Sequence, residues 1–538
     1  MFRTFSFLFS LVLLVFAQPD ISPLFCLFGS ILGYGFLWYS LGSSGKQLST
    51  KLIFALSFLW SFTIEGIHFS WMLSDVCVGK IIYVVWFALC TILATLFSVF
   101  SCLIIFCVRK NHTRILWAIP GLWVLVEMFR FYGLFSGMSL DYLGWPISAT
   151  AYGRQFGGFL GWAGQSYVVM ATGISWYLSL LRKNSAKYLW SFFSCLPYLL
   201  GGVYYEYVNY HFHDDPTMRV AVVQTGISPQ NGSQVSAMQI WKHVLHLSSQ
   251  ITMPVDLIVF PEVSFPCGIN KRIIPVNEVN KILPDLTNSS GGEGYLTNFD
   301  LVHMLAQRFS CSVLVGLERW EPTDRGVYLY NAAECVSPTG VVVGYDKQIL
   351  VPGGEYIPCG KLGWAVCKKY FPEYALACQR IPGSRSGVLE VEGITKVGVS
   401  ICYEETFGSL LRRYKIAGAR LLVNLTNDGW YPRSRLPQVH FFHGILRNQE
   451  LGMPCVRACH TGTTAVVDSL GRILKALPCE TKQQQPIPGI LQVLLPLYNY
   501  KTPYTFWGDL PMVLLGIISL VWIVIYFGYH LLAKKEKG

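Results

Sequence analysis

Three apolar runs in this sequence end on residues that can do covalent chemistry. DLIVF at 256–260 passes through Pro261 to Glu262, GVVVGYD at 340–346 runs into Lys347, and KVGVSI at 396–401 runs into Cys402. Residues just past a strand sit where rigid scaffolds present reactive groups. A thiol, an ammonium and a carboxylate converging there make a nucleophile with its support. The thiolate attacks, the ammonium lowers its pKa and can hold an oxyanion, and the carboxylate takes the proton. One well-placed oxyanion donor is worth about 3 kcal/mol. Each residue also has an inert reading: Cys402 as a small core thiol, Glu262 as an ordinary strand-end carboxylate, Lys347 as a solvated loop cation. Spacing alone does not choose between the two.

The elements that would position these residues begin near Arg219. From there short Val- and Ile-rich runs alternate with polar helical stretches, and strands are expected at 219–224, 256–260, 311–317, 331–337, 340–346, 396–402, 419–425, 463–469 and 490–496. Helices are expected at 233–250, 297–309, 406–417 and 437–451. The pattern is that of an α/β domain with a buried mixed sheet, large enough for two sheets packed face to face. Stretches 267–296 and 351–386, rich in Gly, Pro and basic residues, read as long functional loops.

The rest of the chain is of another kind. Over 538 residues 52% are apolar and only 14% charged, and the apolar excess lies before about residue 210 and again just before KKEKG. Candidate membrane spans fall at 4–18, 22–43, 52–74, 81–108, 115–135, 157–181, 188–206 and 511–532, about eight in all. The first also has the look of a signal segment, but Gln18-Pro19-Asp20 reads as a turn between spans and no A-x-A site follows. The expected organisation is a seven-span bundle over 1–210, a globular domain over 211–505, and an anchor with a basic tail over 506–538. Arg3, Lys46, Lys51, Arg109, Lys110, Arg114, Arg182, Lys183, Lys187, Lys534, Lys535 and Lys537 then fall on one side of the membrane, while Asp20, Asp75 and Asp141 fall on the other. The positive-inside rule makes the basic side cytoplasmic and puts the globular domain outside. Much of the formal net charge of +11 is thereby assigned to membrane orientation, not to nucleic acid. The sixteen cysteines form no metal-like C-x-x-C arrangement in the outer domain; Cys359, Cys367 and Cys378 could form a disulfide in an oxidising compartment.

LIVFPEVSFP, YDKQILVPGGEYIP and GVSICYEETF resemble the three signature regions of the nitrilase superfamily. With them inside a multi-span envelope, the chain resembles, over nearly its whole length, the apolipoprotein N-acyltransferases, the membrane-bound branch of that superfamily. NLTNDGWY at 424–431, QVHFFHGILRNQELGMPCVRACHTGTTAVVD at 438–468, WVLVEMFR at 123–130 and TPYTFWGD at 502–509 add to the likeness. The resemblance implies a bundle of about eight spans joined to an extracytoplasmic α-β-β-α sandwich, in the bacterial cytoplasmic (inner) membrane with the catalytic domain on the periplasmic side. It also implies Glu262 as general base, Lys347 as electrostatic stabiliser and Cys402 as acyl-accepting nucleophile. Glu355 would orient Lys347 or the substrate, and Tyr403 and Glu404 would shape the site. The implied reaction uses no cofactor and no metal. A phospholipid is the acyl donor, a diacylglyceryl apolipoprotein the acceptor, and a monomer suffices because the reactive residues lie in one chain. Departures at GGEY and NDGWYP fall on loops over the pocket and bear on lipid preference.

Several further features have two readings. Glu127 and Arg130, and Glu65 and His68, stand three apart on expected spans, as structural pairs or as substrate contacts. The apolar loop 134–146 suits a lipid-entry lip or the end of a span. His440 and His443 share a helix face, but no third ligand accompanies them, so no metal is expected. Two other functions compete: a membrane-tethered carbon-nitrogen hydrolase (amidase) that gives its thioester to water, and a receptor or transporter with an outer binding domain, which has no need of Cys402.

Overall fold

Runs of Leu, Phe, Ile and Val too long to stay in water can satisfy their backbone inside a bilayer only as helices. The computed structural model describes residues 2–43, 47–133, 139–181, 185–214, 216–229, 235–265, 268–282, 294–324, 326–479 and 487–535. The chain divides into one unit of Met1–Leu73, Lys80–Tyr210 and Thr502–Gly538 and another of Ser74–Gly79 and His211–Lys501.

In the first unit, five helical segments among the described residues are long and apolar enough to cross a membrane: Pro23–Gly42, Thr50–Met72, Ile81–Arg109, Ile115–Gly133 and Leu510–His530. The expected first span folds as the shorter helix Phe2–Val15. The expected sixth and seventh lie in helices Ala151–Leu180 and Ala186–Tyr210, which have the length but a more polar composition. Most of Ala151–Leu180 is buried, so its neighbours are other helices and it can carry Arg154, Gln155 and Gln165. These two helices pack closely at Gly201, where a Cβ would stand 1.9 Å from the carbonyl oxygen of Tyr152.

The ionisable residues of the spans mostly hold backbone. Arg130 donates to the carbonyl of Asp141 at 2.7 Å, and the Leu143 amide donates to Glu127 at 2.8 Å. His68 pairs with the Asp141 carboxylate at 2.6 Å. The described part of the expected lip, from Ser139, is thus pinned to the helices; residues 134–138 lie outside the described residues, as do Lys46, Arg182, Lys183, Lys537 and, within the expected loop 267–296, residues 267 and 283–293.

The second unit is built on strands. In chain order they are β1 Thr217–Gln224, β2 Leu257–Val259, β3 Arg272–Pro275, β4 Tyr295–Thr297, β5 Ser312–Thr323, β6 Gly326–Val336 and β7 Val342–Asp346. There follow β8 Val388–Val391, β9 Thr395–Ile401, β10 Leu421–Thr426, β11 Cys455–Cys459, β12 Ala465–Val467, β13 Ile473–Ala476 and β14 Gly489–Pro496. Two six-stranded sheets result, in the orders β14-β1-β2-β5-β6-β7 and β13-β12-β11-β10-β9-β8, and β3 pairs with β4. β1, β2 and β5 are parallel, as are β9, β10 and β11.

Strand periodicity decides the layers. Val220 and Val222 enter a core shared with Val397, Val399, Leu421, Val423 and Val456 of the other sheet. Their neighbours Ala221 and Val223 face the opposite way, into a core with helices Ala237–Ser248 and Asn298–Phe309. Both helices start on a capping box, Ser236 with Gln239 and Thr297 with Asp300. Beyond the second sheet, Tyr414 of helix Gly408–Ile416 packs on Gly398, and Phe441 and Ile445 of helix Leu436–Leu451 pack on Ala465 and Val467. The order is helix, sheet, sheet, helix.

The nine expected strands are present with shifted ends. β3, β4, β8, β11 and β13 are additional, and stretch 351–386 is less of a loop than expected, since it contains helices Gly360–Tyr370 and Pro372–Ala377. Cys359, Cys367 and Cys378 are free thiols.

Candidate active site

Cys402 follows β9 with φ of +53°, a conformation costly for a residue with a Cβ, and opens the tight turn Cys402–Thr406. Side chains hold it there. Glu404 folds back to accept from the Ile401 amide at 2.8 Å, and Asn424 of β10 donates to the Cys402 carbonyl at 3.1 Å. The other oxygen of Glu404 accepts from Tyr345 Oη at 2.7 Å and from the amides of Gln348 and Ile349 at 2.7 and 2.9 Å. One buried carboxylate therefore ties the turn after the thiol to the loop after Lys347, across the two sheets. Tyr403 packs edge-on against Phe407.

Lys347 leaves β7 with its amide bonded to the Asn331 carbonyl at 2.8 Å. Its side chain is 1% exposed, and Nζ lies 2.9 Å from Glu355 and 3.6 Å from Glu262. Asn331 of β6 donates from one nitrogen to both carboxylates, at 2.6 Å to Glu262 and 3.0 Å to Glu355. The Val351 amide adds a bond to Glu355 at 2.8 Å. The sequence-predicted Glu262, Lys347 and Glu355 thus form one buried cluster, and the charges of Glu262 and Lys347 both act on Cys402.

The electrostatics separate the two carboxyls. Burial pushes both up, but for Glu355 the Lys347 ammonium and the Val351 N–H outweigh it and leave the group below its ordinary value. Glu262 ends above its ordinary value, because burial and the Glu355 charge outweigh the more distant Lys347. Burial would discharge Lys347, yet Glu355 and Glu262 keep it protonated. For Cys402, burial and then Glu262 push the thiol well up, and Lys347 recovers only part. Where a thiol lowered by the ammonium was expected, the thiol is raised, because burial and the Glu262 charge outweigh Lys347.

Residues 219–496 match the carbon-nitrogen hydrolase family, and residues 10–175 match the apolipoprotein N-acyltransferase N-terminal domain. An apolipoprotein N-acyltransferase of Chlamydia caviae is 60% identical, with 100% of both chains covered. That of Chlamydia pneumoniae is 53% identical over 100% of both, and that of Chlamydia trachomatis 50% identical over 98% of both. The chain belongs to the apolipoprotein N-acyltransferase family.

In this member of the family the thiol-bearing turn rests on a buried charge network that sequence reasoning missed. Arg457 of β11 bonds Glu405 at 2.9 Å and Asp428 at 3.0 Å, and His440 lies 2.8 Å from Asp428 and 3.1 Å from Glu405. His440 Nδ1 is hydrogen-bonded to Asp428, and Nε2 lies at ion-pair distance from Glu405. Asn331 also escaped notice. The signal was present for both: Asn331 and Arg457 are polar residues inside apolar strands, where a buried polar group is the informative exception. His460 was missed too; it lies beyond β11 and is bonded to the Glu262 carbonyl at 2.6 Å.

Proposed function

We propose that this chain moves a fatty acyl chain from a membrane phospholipid onto Cys402 as a thioester, and from there to the free α-amino group of the S-diacylglyceryl-cysteine that begins an apolipoprotein. The observation that carries the reading is a half-buried thiol on a strained turn, under the charges of a raised carboxyl and a held ammonium. It stands in a chain 60% identical throughout to a protein of that name. Glu262 accepts the thiol proton as Sγ attacks the ester carbonyl carbon. The oxyanion is held by Lys347, the C–O bond breaks, and Glu262 returns the proton to the departing lysophospholipid oxygen. In the second half the amine nitrogen attacks the thioester, Glu262 takes its proton, the C–S bond breaks, and the thiol is re-formed. Glu355 keeps Lys347 charged and aimed, Glu404 fixes the turn, and Tyr403 borders the site.

Both substrates are lipid-anchored, so the membrane unit serves to keep the enzyme in their bilayer. The catalytic domain, 211–505, lies on the extracytoplasmic side of the inner membrane, with the spans of 1–210 and 506–538 inside the bilayer and one chain as the working unit. Intact-mass measurement of wild type and Cys402→Ser after incubation with phospholipid and no acceptor tests the chemistry. A fatty-acyl adduct on wild type alone, released by neutral hydroxylamine, is expected. Folded wild type with no adduct would defeat the reading, and an adduct that water removes faster than an acceptor amine would favour the amidase.

A further inference from the structure

Glu262 and Cys402 stand on different sheets, so their register depends on whatever braces the two sheets at this end. One brace is Glu404, already described. Another is His460. Its Nε2 lies 2.6 Å from the main-chain carbonyl oxygen of Glu262, and its Nδ1 lies 2.5 Å from Thr225 Oγ1, just beyond β1. A carbonyl can only accept, so Nε2 carries the hydrogen and Nδ1 receives the hydroxyl proton of Thr225, which fixes the tautomer. The Gly226 amide in turn donates to the His460 carbonyl at 2.8 Å.

The backbone being held is a strained one. Val263 has φ of +46°, unusual for any β-branched residue, and on the side of β5 there is no slack. A Cβ on Gly316 would stand 2.7 Å from Glu262 Cα and 2.6 Å from the Val263 amide nitrogen. The turn carrying the base is thus gripped between Gly316 in its own sheet and His460 from the other. The imidazole is buried, which pulls its pKa down to about 4, so it remains a neutral donor at working pH.

We propose that His460, oriented by Thr225, is a positioning residue that sets Glu262 in register with Cys402, a role that rests on the acyl-enzyme reading of the site. The test is the time course of acyl-adduct mass on the full-length protein with phospholipid, across pH, for wild type, His460→Leu, His460→Gln, Thr225→Val and Cys402→Ser. His460→Leu should acylate about 10- to 100-fold more slowly, the loss expected when a base is misplaced by about 1 Å. The half-saturating phospholipid concentration should be unchanged and the acid limb of the profile displaced. His460→Gln, which can keep a donor near the Nε2 position, should recover much of the rate, and Thr225→Val should lose several-fold. A folded His460→Leu with the wild-type rate and pH profile overturns the proposal, as does Leu and Gln being equally slow. Should His460→Leu not fold, Thr225→Val at the wild-type rate overturns it. An adduct on Cys402→Ser that maps away from residue 402, or a folded wild type with no adduct, would by contrast defeat the acyl-enzyme reading itself.

Discussion

In the proposed reaction Glu262 acts as a base beside a second carboxylate that competes for the same ammonium. The geometry settles the competition: Lys347 Nζ sits 2.9 Å from Glu355 but 3.6 Å from Glu262. Glu355 is held below its ordinary value and Glu262 above it. The rate of adduct formation should therefore fall as pH drops through a value above the ordinary carboxylate range of about 4.3. Glu262→Gln should cost about 10²- to 10⁴-fold and remove that limb, as pH-dependent mass time courses would record. Glu355→Gln tests the partition from the other side. The Glu355 charge raises Glu262, so its removal should lower the Glu262 pKa and move the acid limb to lower pH, while leaving a weaker base and a slower plateau. An unmoved limb would mean that the two carboxyls do not share Lys347. At this scale the sequence was informative about residue types and order, but the raised thiol was hidden, because the sign of its shift depends on burial and on which charge lies nearer.

Elements were legible where both faces of a strand enter a core. β1, β2, β9 and β10 pack on both sides, and their apolar runs stood out; β8, β13 and the β3–β4 pair are short or lie at edges. β11 was obscured by Arg457, a full charge in the middle of a buried strand. Helix Gly360–Tyr370 buries no side chain, so no core-facing periodicity marked it. The charge in β11 also makes a stability prediction. Burial would raise the Asp428 carboxyl, but Arg457 and His440 outweigh it and hold it at about 2. Its contribution is present above the unfolded value of about 3.9 and is lost as pH falls through the folded value near 2, an effect of about 2 kcal/mol. Asp428→Asn should flatten the acid limb of the melting temperature between about pH 4 and 2. Arg457→Met should cost more, about 3–5 kcal/mol, because it leaves Asp428 and Glu405 buried without their cation. A melting temperature within a degree of wild type would show that network to be dispensable.

The whole molecule joins a unit rich in apolar helices to one built on strands, and composition alone reads a change of character near residue 210. Composition was less able to count spans. Helices Ala151–Leu180 and Ala186–Tyr210 carry more polar residues than a lipid-facing span because much of the first is packed against its neighbours, and hydropathy does not register that shelter. Sidedness rests on cations in short loops, each contributing modestly, so it is the proposal most in need of direct test. Cys359 serves as a native probe, since it is an exposed thiol of the catalytic unit. In right-side-out vesicles an impermeant maleimide should add to Cys359 within the time that a lumenal control stays unlabelled, and Cys359→Ser should lack the modified peptide. Labelling only after the vesicles are opened would place the catalytic unit inside. The proposed acceptor, a lipoprotein whose amino terminus has already crossed the membrane, would then be out of reach, and the assignment of substrate would fail together with that of topology.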